Sequence, residues 1–278
     1  MKIAIVGKWW SGKSSMSRLL TKYISQNKNV IAIDSDHNMD LTNLLWYDFK
    51  TYVSPNFKDS LNDMMYHLDY EEFKAKKMIN DNIGHHKFFI NNMDNYSKKI
   101  LIDIGDNIYL GIVWLGSDDV MDDNRCAHGM SNPLKVYLTL LDEWNSDVVV
   151  DWVAGVDMIN FGLYHACDYL VVVVEPSRNS IRVANQISKL CDRSQVNYWV
   201  VINKYVQNEY FKEIDNIFGD KVIWKIWYDD WLFKYNYDII GQSIKNDIGH
   251  IYKIIQNNRW SSLVDRMMML EKFKNKMK

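Results

Sequence analysis

Residues 2–15 read KIAIVGKWWSGKSS, and this stretch decides the fold. It opens with a continuous apolar run, Ile3 to Val6, which is typical of a strand that is buried on both faces of a parallel sheet. Residues 7–14 then satisfy the spacing G-x-x-x-x-G-K-[ST], and a helical pattern follows from Ser14. A strand, this spacing and a helix in succession predict a loop whose backbone N–H groups surround phosphate oxygens.

The chemistry of the loop residues predicts ATP and Mg²⁺ as cofactors. Lys13 would reach the β- and γ-phosphates, and Ser14 would ligate Mg²⁺. Trp9 and Trp10 require either ordinary backbone angles or local strain, because Trp adopts positive φ less readily than glycine. The residues expected around the phosphates are Gly7, Lys8, Trp9, Trp10, Ser11, Gly12, Lys13, Ser14 and Ser15.

Strand and helix patterns alternate along much of the remaining chain. Apolar runs recur at 30–33, 100–104, 111–115, 148–150, 170–174, 198–202 and 222–226, with helical patterns at 14–27, 133–144 and 180–190. This alternation predicts an α/β fold with a doubly wound, mostly parallel sheet, as in P-loop NTPases. We expect one domain over 1–278, with a variable insertion at about 46–98 and a helical C-terminal segment at about 238–278.

Composition excludes several classes of protein. The 278 residues are 47% hydrophobic and 24% charged, which predicts a folded core rather than disorder. A net charge of -2 gives no general attraction to nucleic acid, so no nucleic-acid partner is expected. No apolar run is long enough to span a membrane, no signal peptide is recognisable, and three cysteines suggest no disulfide framework. The expected location is the cytoplasm.

Carboxylates follow two of the predicted strands. Asp34 and Asp36 come directly after residues 30–33, at an edge where side chains of a parallel sheet face the ligand. Asp103 and Asp151 compete for the role of the aspartate that supports Mg²⁺. We favour Asp151, because Gly155 follows it and would place an amide near the γ-phosphate.

The position of Lys8 directly after the first glycine resembles the deviant Walker A loop, K-G-G-x-G-K-[ST], of the MinD, ParA, nitrogenase iron protein and nickel-insertase superfamily. Trp9 and Trp10 stand where that family has glycines. The resemblance implies an ATP-dependent homodimer in which Lys8 reaches the partner's ATP. It also implies that Asp36 positions the attacking water and that Asp34 supports Mg²⁺ or the phosphate loop. The catalytic set it implies is Lys8, Lys13, Asp36 and Asp151.

Four further segments resemble the CooC-type nickel-insertion ATPases, which serve carbon monoxide dehydrogenase. DWVAGVD at 151–157 is similar to that family's D-x-x-A-G-h-E, and VVVEPSRNSI at 172–181 to its V-x-x-E-P-x-x-x-S-I. VVINK at 200–204 and IWYD at 226–229 match segments near the base. The resemblance implies that Asn203 contacts adenine and that Lys204 and Trp227 lie near it.

The same family carries a metal-binding C-x-C motif, where this chain has Cys126 and His128. Two ligands from each subunit of a dimer would form a site for Zn²⁺ or Ni²⁺. A cysteine and a histidine two residues apart also arise by chance, so a structural role for this pair stays open. The implied function is an ATPase switch that delivers metal to a client metalloenzyme.

The alternative is a MinD- or ParA-like positioning ATPase that acts at a membrane or another surface. Apolar residues recur at helical spacing over 260–273 beside several lysines and arginines, as in an interfacial helix. The same pattern also fits a helix that is docked on the core. A reductase like the nitrogenase iron protein is disfavoured, because no cysteine follows Asp151 within ten residues.

Overall fold

The computed structural model describes residues 1–36, 38–45, 57, 59–82, 84–113, 132–155, 162–194, 196–206, 209–227 and 242–257. Strands within these residues are β1 (Lys2–Gly7), β2 (Asn29–Asp34), β3 (Phe88–Phe89), β4 (Leu101–Asp103), β5 (Ile108–Ile112), β6 (Leu141–Asp142), β7 (Ser146–Asp151), β8 (Tyr169–Val174), β9 (Tyr198–Tyr205) and β10 (Val222–Trp227). The α-helices are α1 (Lys13–Ser25), α2 (Asp40–Leu44), α3 (Leu61–Leu68), α4 (Ala75–Asp81), α5 (Asn95–Ile100), α6 (Asn132–Leu140), α7 (Arg178–Ser194), α8 (Glu209–Phe218) and α9 (Gln242–Asn257). Short 3₁₀ helices cover Leu163–Ala166 and Gly219–Lys221.

Eight strands form one sheet in the order β10-β9-β8-β1-β7-β2-β5-β4. Neighbouring strands are parallel except β4, which pairs antiparallel with β5 at the edge. β1 lies in the middle, where Ile3 is in register with Val149 of β7 and Tyr169 of β8. The predicted doubly wound, mostly parallel sheet is therefore confirmed, and its parallel strands end at one common edge.

Helices cover both faces of this sheet. In β1, Ala4 and Val6 face the layer that contains α3 to α8, whereas Ile3 and Ile5 face α1, α2 and α9. All four side chains are fully buried, which explains why the strand is continuously apolar rather than alternating. Each of the isoleucine and valine side chains among them contributes about 1.5–3 kcal/mol of hydrophobic stabilisation.

Helix α1 places the phosphate loop. It begins directly after Gly12, whose φ of 94° is a left-handed value that glycine adopts without steric cost. Met16, Leu20 and Ile24 recur every four residues and are buried against the sheet. This apolar face fixes the helix on the core and directs its N-terminus at the carboxyl edge of the strands.

Three parts of the sequence interpretation are changed by the structure. The strand predicted at 111–115 is Ile108–Ile112, because a tight turn with positive φ at 105–107 starts β5 earlier. The chain at 100–104 is an antiparallel edge strand rather than a parallel one. The insertion at 46–98 contains α3, α4, β3 and the start of α5.

Several predictions fall outside the described residues. Cys126 and His128 lie in 114–131, and the apolar and basic pattern at 260–273 lies in 258–278. Among the helices that the structure describes, none has both the length and the apolar composition required to cross a membrane.

Candidate functional site

The phosphate loop connects β1 to α1 at the carboxyl edge of the sheet. Gly7 has a φ of 155°, and a Cβ there would collide with the carbonyl oxygen of Val173. A Cβ on Gly12 would collide with the side-chain amide of Asn203. Both glycines are therefore required by close approach of neighbouring strands, and Lys13 follows as a buried residue in the first turn of α1.

Trp10 adopts a left-handed backbone conformation, with a φ of 68°. For a bulky residue this conformation is strained, at a cost of roughly 1–2 kcal/mol. Two side chains from β9 stabilise it: Lys204 Nζ donates to the Trp10 carbonyl at 2.7 Å, and Asn203 Nδ2 donates to the Ser11 carbonyl at 2.9 Å. The strain that the double tryptophan predicts is thus present and is confined to Trp10 in this loop.

Glu175, which follows β8, joins two lysines of the site. Its carboxylate lies 3.5 Å from Lys8 Nζ and 3.3 Å from Lys204 Nζ, and it accepts a hydrogen bond from Ser177 Oγ at 3.2 Å. Lys8 is about one-third exposed and is held here within its own chain. The sequence interpretation gave Glu175 no role, because no spacing rule predicts its contact with residues so distant in the chain.

Two fully buried carboxyl groups stand side by side behind the loop. Asp34 ends β2 in register with Asp151, which ends β7. Asp34 accepts hydrogen bonds from the backbone N–H and the hydroxyl of Thr42, both at 2.7 Å. Asp151 accepts one from Ser17 Oγ at 3.0 Å and another from Ser14.

Burial raises the pKa of both carboxyl groups. For Asp151 the negative charge of Asp34 raises the pKa further, while Ser14, Lys13 and Ser17 oppose the shift. For Asp34 the bonds from Thr42 oppose it. Asp151 Oδ2 is buried and has no hydrogen-bond partner among the described residues. Two adjacent carboxyl groups with an unpaired oxygen form a site that is suited to a cation.

Asp36 and Asp40 complete the acidic side of the site. Asp36 is 6% exposed; its backbone N–H donates to Asp34 Oδ1 at 3.2 Å, and its own Oδ1 accepts from the Asn38 backbone N–H. Burial and the charge of Asp36 raise the pKa of Asp40, and the positive charge of Lys13 opposes that rise. The positive charge of Lys13 therefore acts on at least two carboxyl groups, those of Asp40 and Asp151.

The geometry favours Asp151 over Asp103 for the supporting aspartate. Asp103 ends the antiparallel strand β4, in register with Tyr109 near the start of β5, and so lies at the opposite edge of the sheet. It is exposed, and it accepts a hydrogen bond from the Gly105 backbone N–H at 2.9 Å. Gly155, downstream of Asp151, donates its backbone N–H to the Gly7 carbonyl at 3.0 Å and thus contacts the phosphate loop directly.

A cavity of about 720 Å³ opens over the loop and α1, within the size range of small-molecule sites. Predicted site residues that line it are Trp9, Trp10, Gly12, Lys13, Ser14, Ser15, Asn203, Lys204 and Trp227. Asn38, Asp40, Asn43, Leu44, Met16, Leu19 and Ile226 also line it and were not predicted. The first three are polar residues close after β2, and that position was the one signal that could have identified them.

The predicted transition-metal pair cannot be placed, because Cys126 and His128 lie outside the described residues. Within the part of the chain that is described, no three histidine, cysteine, aspartate or glutamate side chains are grouped as metal ligands. The residues that we expect to bind a cation are Ser14 and the carboxyl pair of Asp34 and Asp151.

Two proteins of Methanocaldococcus jannaschii are similar to the chain in sequence. The uncharacterized ATP-binding protein MJ0084 is 27% identical over 266 residues, which cover 92% of this chain and 98% of that protein. The uncharacterized ATP-binding protein MJ0685 is 24% identical over 265 residues, which cover 92% and 96%. No family model matches the sequence.

Solved structures share the fold over most of the chain. McdA of Cyanothece in an ATP complex has a TM-score of 0.66 at 13% identity, covering 94% of this chain and 98% of that one. A plasmid partition protein of Borrelia burgdorferi bound to AMPPNP has a TM-score of 0.62 at 16% identity, covering 92% and 98%. A chain of the MinC:MinD cell division protein complex of Aquifex aeolicus has a TM-score of 0.58 at 16% identity, covering 94% and 98%.

These likenesses show the fold that the resemblance to the superfamily implies, and they do not show nickel insertion. The chain therefore has the MinD/ParA-like α/β fold of a P-loop NTPase, and its relatives in sequence are ATP-binding proteins.

Proposed function

We propose that the chain is a single P-loop ATPase domain that binds and slowly hydrolyses Mg·ATP. The observation that carries this proposal is the buried Lys13 at the N-terminus of α1, which lines the cavity with Ser14 and Asp40 and whose positive charge acts on the buried carboxyl group of Asp151 behind it. Lys13 and the N–H groups of the loop would bind the phosphates, since a helix N-terminus favours an anion. The ATP-binding relatives support this proposal.

Mg²⁺ fits Ser14, which lines the cavity, and the buried carboxyl groups that lie behind it. Ser14 and the carboxyl pair of Asp34 and Asp151 would hold it, and the unpaired Oδ2 of Asp151 offers a buried acceptor. When bound, Mg²⁺ neutralises charge on the β- and γ-phosphates. Asp36 would orient the attacking water by accepting a hydrogen bond from it, which is the role that its position beside Asp34 permits.

ATP binding is proposed to drive formation of a homodimer through Lys8. In the single chain, Lys8 pairs with Glu175 at 3.5 Å and is partly exposed, so it can exchange this partner for a phosphate without crossing the core. A contact made by Lys8 to the ATP of a second copy would convert nucleotide binding into association free energy. Glu175 then keeps Lys204 and the Trp10 carbonyl in place.

The switch is proposed to serve positioning at a surface. The structural likeness to a plasmid partition protein, McdA and MinD favours this function over metal delivery. Delivery of nickel to a client metalloenzyme depends on Cys126 and His128, and it stays a prediction. Metal content of the purified protein, measured in wild type and in Cys126→Ser, tests it. Tight metal binding that persists in the variant would contradict a role for that residue.

Calorimetric titration with Mg·ATP tests nucleotide binding. Lys13→Ala should weaken binding at least about 100-fold, because it removes the charge that faces the phosphates. The matched control is Lys22→Ala in the last turn of the same helix, where Lys22 pairs with exposed Asp106 instead. Wild-type affinity in Lys13→Ala, or an equal loss in Lys22→Ala, would contradict the proposed phosphate site.

Light scattering of Asp36→Asn tests ATP-dependent dimerisation, because this variant should bind ATP without hydrolysing it. We expect a dimer with ATP, a monomer with ADP, and a monomer with ATP when Lys8→Ala is added. Lys99→Ala, which removes a surface lysine paired with Asp63, serves as the control and should leave the dimer intact. A monomer in both nucleotide states, or a dimer that persists without Lys8, would count against this mechanism.

A further inference from the structure

The rim of the nucleotide cavity is aromatic and open to solvent. Trp9, Trp10 and Trp227 line the same cavity and are 54%, 78% and 64% exposed. Large aromatic side chains are commonly buried, so three exposed tryptophans beside one cavity form an aromatic surface that a ligand can contact. The remaining question is which part of a nucleotide this surface contacts.

Trp227 is held rigidly from one side. It ends β10 in register with Tyr205, and the two rings meet edge to face at 4.5 Å. Tyr205 in turn packs on Phe211 at 5.2 Å, and Lys225 Nζ lies 3.9 Å above the Phe211 ring. This stack fixes the indole in place while leaving much of it exposed, so little conformational entropy would be lost when a flat ligand stacks on it.

The rim is physically continuous with the phosphate loop. Lys204, next to Tyr205 in β9, donates to the carbonyl of Trp10, and Asn203 donates to the carbonyl of Ser11. A nucleotide whose phosphates bind the loop would therefore extend toward Trp227 within the same cavity. Because one N–H of the Asn203 amide is engaged by the loop, this side chain retains less capacity to recognise the base by hydrogen bonds.

We infer that Trp227 is a stacking residue for the base of the bound nucleotide and that it makes the site prefer purine over pyrimidine triphosphates. This inference rests on the proposed function, whose phosphate site it extends. Stacking on an aromatic ring accepts every base, since every base has a π-face, and a two-ring purine covers more of an indole than a one-ring pyrimidine. The selectivity is therefore for base size.

Binding of three ligands tests this inference: Mg·ATP, Mg·CTP and inorganic tripolyphosphate with Mg²⁺. Wild type should bind ATP about fivefold or more tightly than CTP. Trp227→Ala should weaken ATP binding about tenfold, reduce the preference over CTP, and leave tripolyphosphate affinity unchanged. Trp227→Phe should restore most of the ATP affinity, because a phenyl ring still stacks.

The control is Trp144→Ala, which removes an equally exposed tryptophan between β6 and β7, at the opposite edge of the sheet. Its affinity for all three ligands should match that of wild type. Unchanged ATP affinity in Trp227→Ala, or an equal loss for ATP and tripolyphosphate, would overturn the inference while nucleotide binding stands. If wild type binds neither ATP nor tripolyphosphate, the proposed function itself fails.

Discussion

The two ends of strand β7 carry buried aspartates with opposite electrostatic surroundings. Asp147, at the amino end, accepts hydrogen bonds from the N-terminal ammonium of Met1 at 3.0 Å and from the hydroxyl of Tyr252 at 2.6 Å, and it pairs with Lys28 at 2.9 Å. Asp151, at the carboxyl end, has one carboxylate oxygen without a partner among the described residues. Burial by itself would raise the pKa of both carboxyl groups. For Asp147 the ammonium, Tyr252 and Lys28 outweigh burial and lower it.

This difference separates a structural carboxylate from a functional one. Asp147 is stabilised in its charged form by groups of its own chain, whereas Asp151 lies beside a second carboxyl group, Asp34, which makes its charged form less favourable. A fold keeps such an unfavourable arrangement where a ligand supplies the missing charge. This contrast supports the proposal that the ligand binds at the carboxyl edge of the sheet.

The largest effect on stability is expected from Asp147→Asn. The change removes the carboxylate that the buried ammonium and Lys28 share and leaves Glu143, at 3.8 Å, beside the ammonium, which should lower the free energy of unfolding by about 2 kcal/mol. Because the pKa of Asp147 lies below 3.8, its stabilisation is present above that pH and is lost as pH falls through the folded-state pKa. Urea unfolding at pH 7 and at pH 3 measures this difference.

Asp63→Asn is the control for that experiment, since Asp63 forms an exposed ion pair with Lys99. Its effect should stay below about 1 kcal/mol. An effect of Asp147→Asn that is as small as the control would show that the two ends of β7 are not electrostatically different.

A smaller effect of opposite sign is expected from Asp151→Asn without nucleotide or Mg²⁺. The folded-state pKa of Asp151 is raised above 3.8, so ionisation of this group destabilises the fold increasingly as pH rises above that value. Asparagine lacks this pH-dependent destabilisation, so the substitution should raise the free energy of unfolding by about 1 kcal/mol at pH 7. A variant that is less stable than wild type at pH 7 would contradict the assignment of Asp151 as an unsatisfied carboxylate.

The smallest effect concerns two left-handed residues, one at each edge of the sheet. Trp10 has a φ of 68° and Asn145, in the turn before β7, a φ of 60°. Asparagine tolerates this conformation and tryptophan does not, so Trp10→Gly should stabilise the nucleotide-free protein by up to about 1 kcal/mol. Asn145→Gly should change stability by less than about 0.5 kcal/mol. Equal effects in thermal unfolding would show that Trp10 is not strained.

Short-range spacing predicts the phosphate loop and the central strands well. Gly7, Gly12 and Lys13 lie within a few residues of one another in a recognisable spacing, although the close approach of Val173 and Asn203 to the two glycines appears only in the fold. The apolar strand before them is recognisable because both faces of the sheet are covered. The fold class follows from these local patterns.

Contacts between distant segments were not predictable in the same way. Glu175 pairs with Lys8 because the sheet places β8 beside β1, and Thr42 bonds to Asp34 because α2 packs back over the end of β2. The early start of β5 depends on three consecutive residues with positive φ at 105–107, and residue propensities do not predict such a turn. Asn203 was expected at the base, and its contact with the loop carbonyl emerges only from the packing of β9.

The most direct test of the account is the unfolding midpoint of wild type and Asp151→Asn with ATP, measured with Mg²⁺ and with EDTA. If Mg²⁺ binds the carboxyl groups of Asp34 and Asp151, Mg·ATP should raise the wild-type unfolding midpoint well above the midpoint measured with ATP and EDTA. In Asp151→Asn this dependence on Mg²⁺ should largely disappear. A wild-type unfolding midpoint that Mg·ATP does not change, or a Mg²⁺ dependence that is the same in Asp151→Asn as in wild type, would contradict the account.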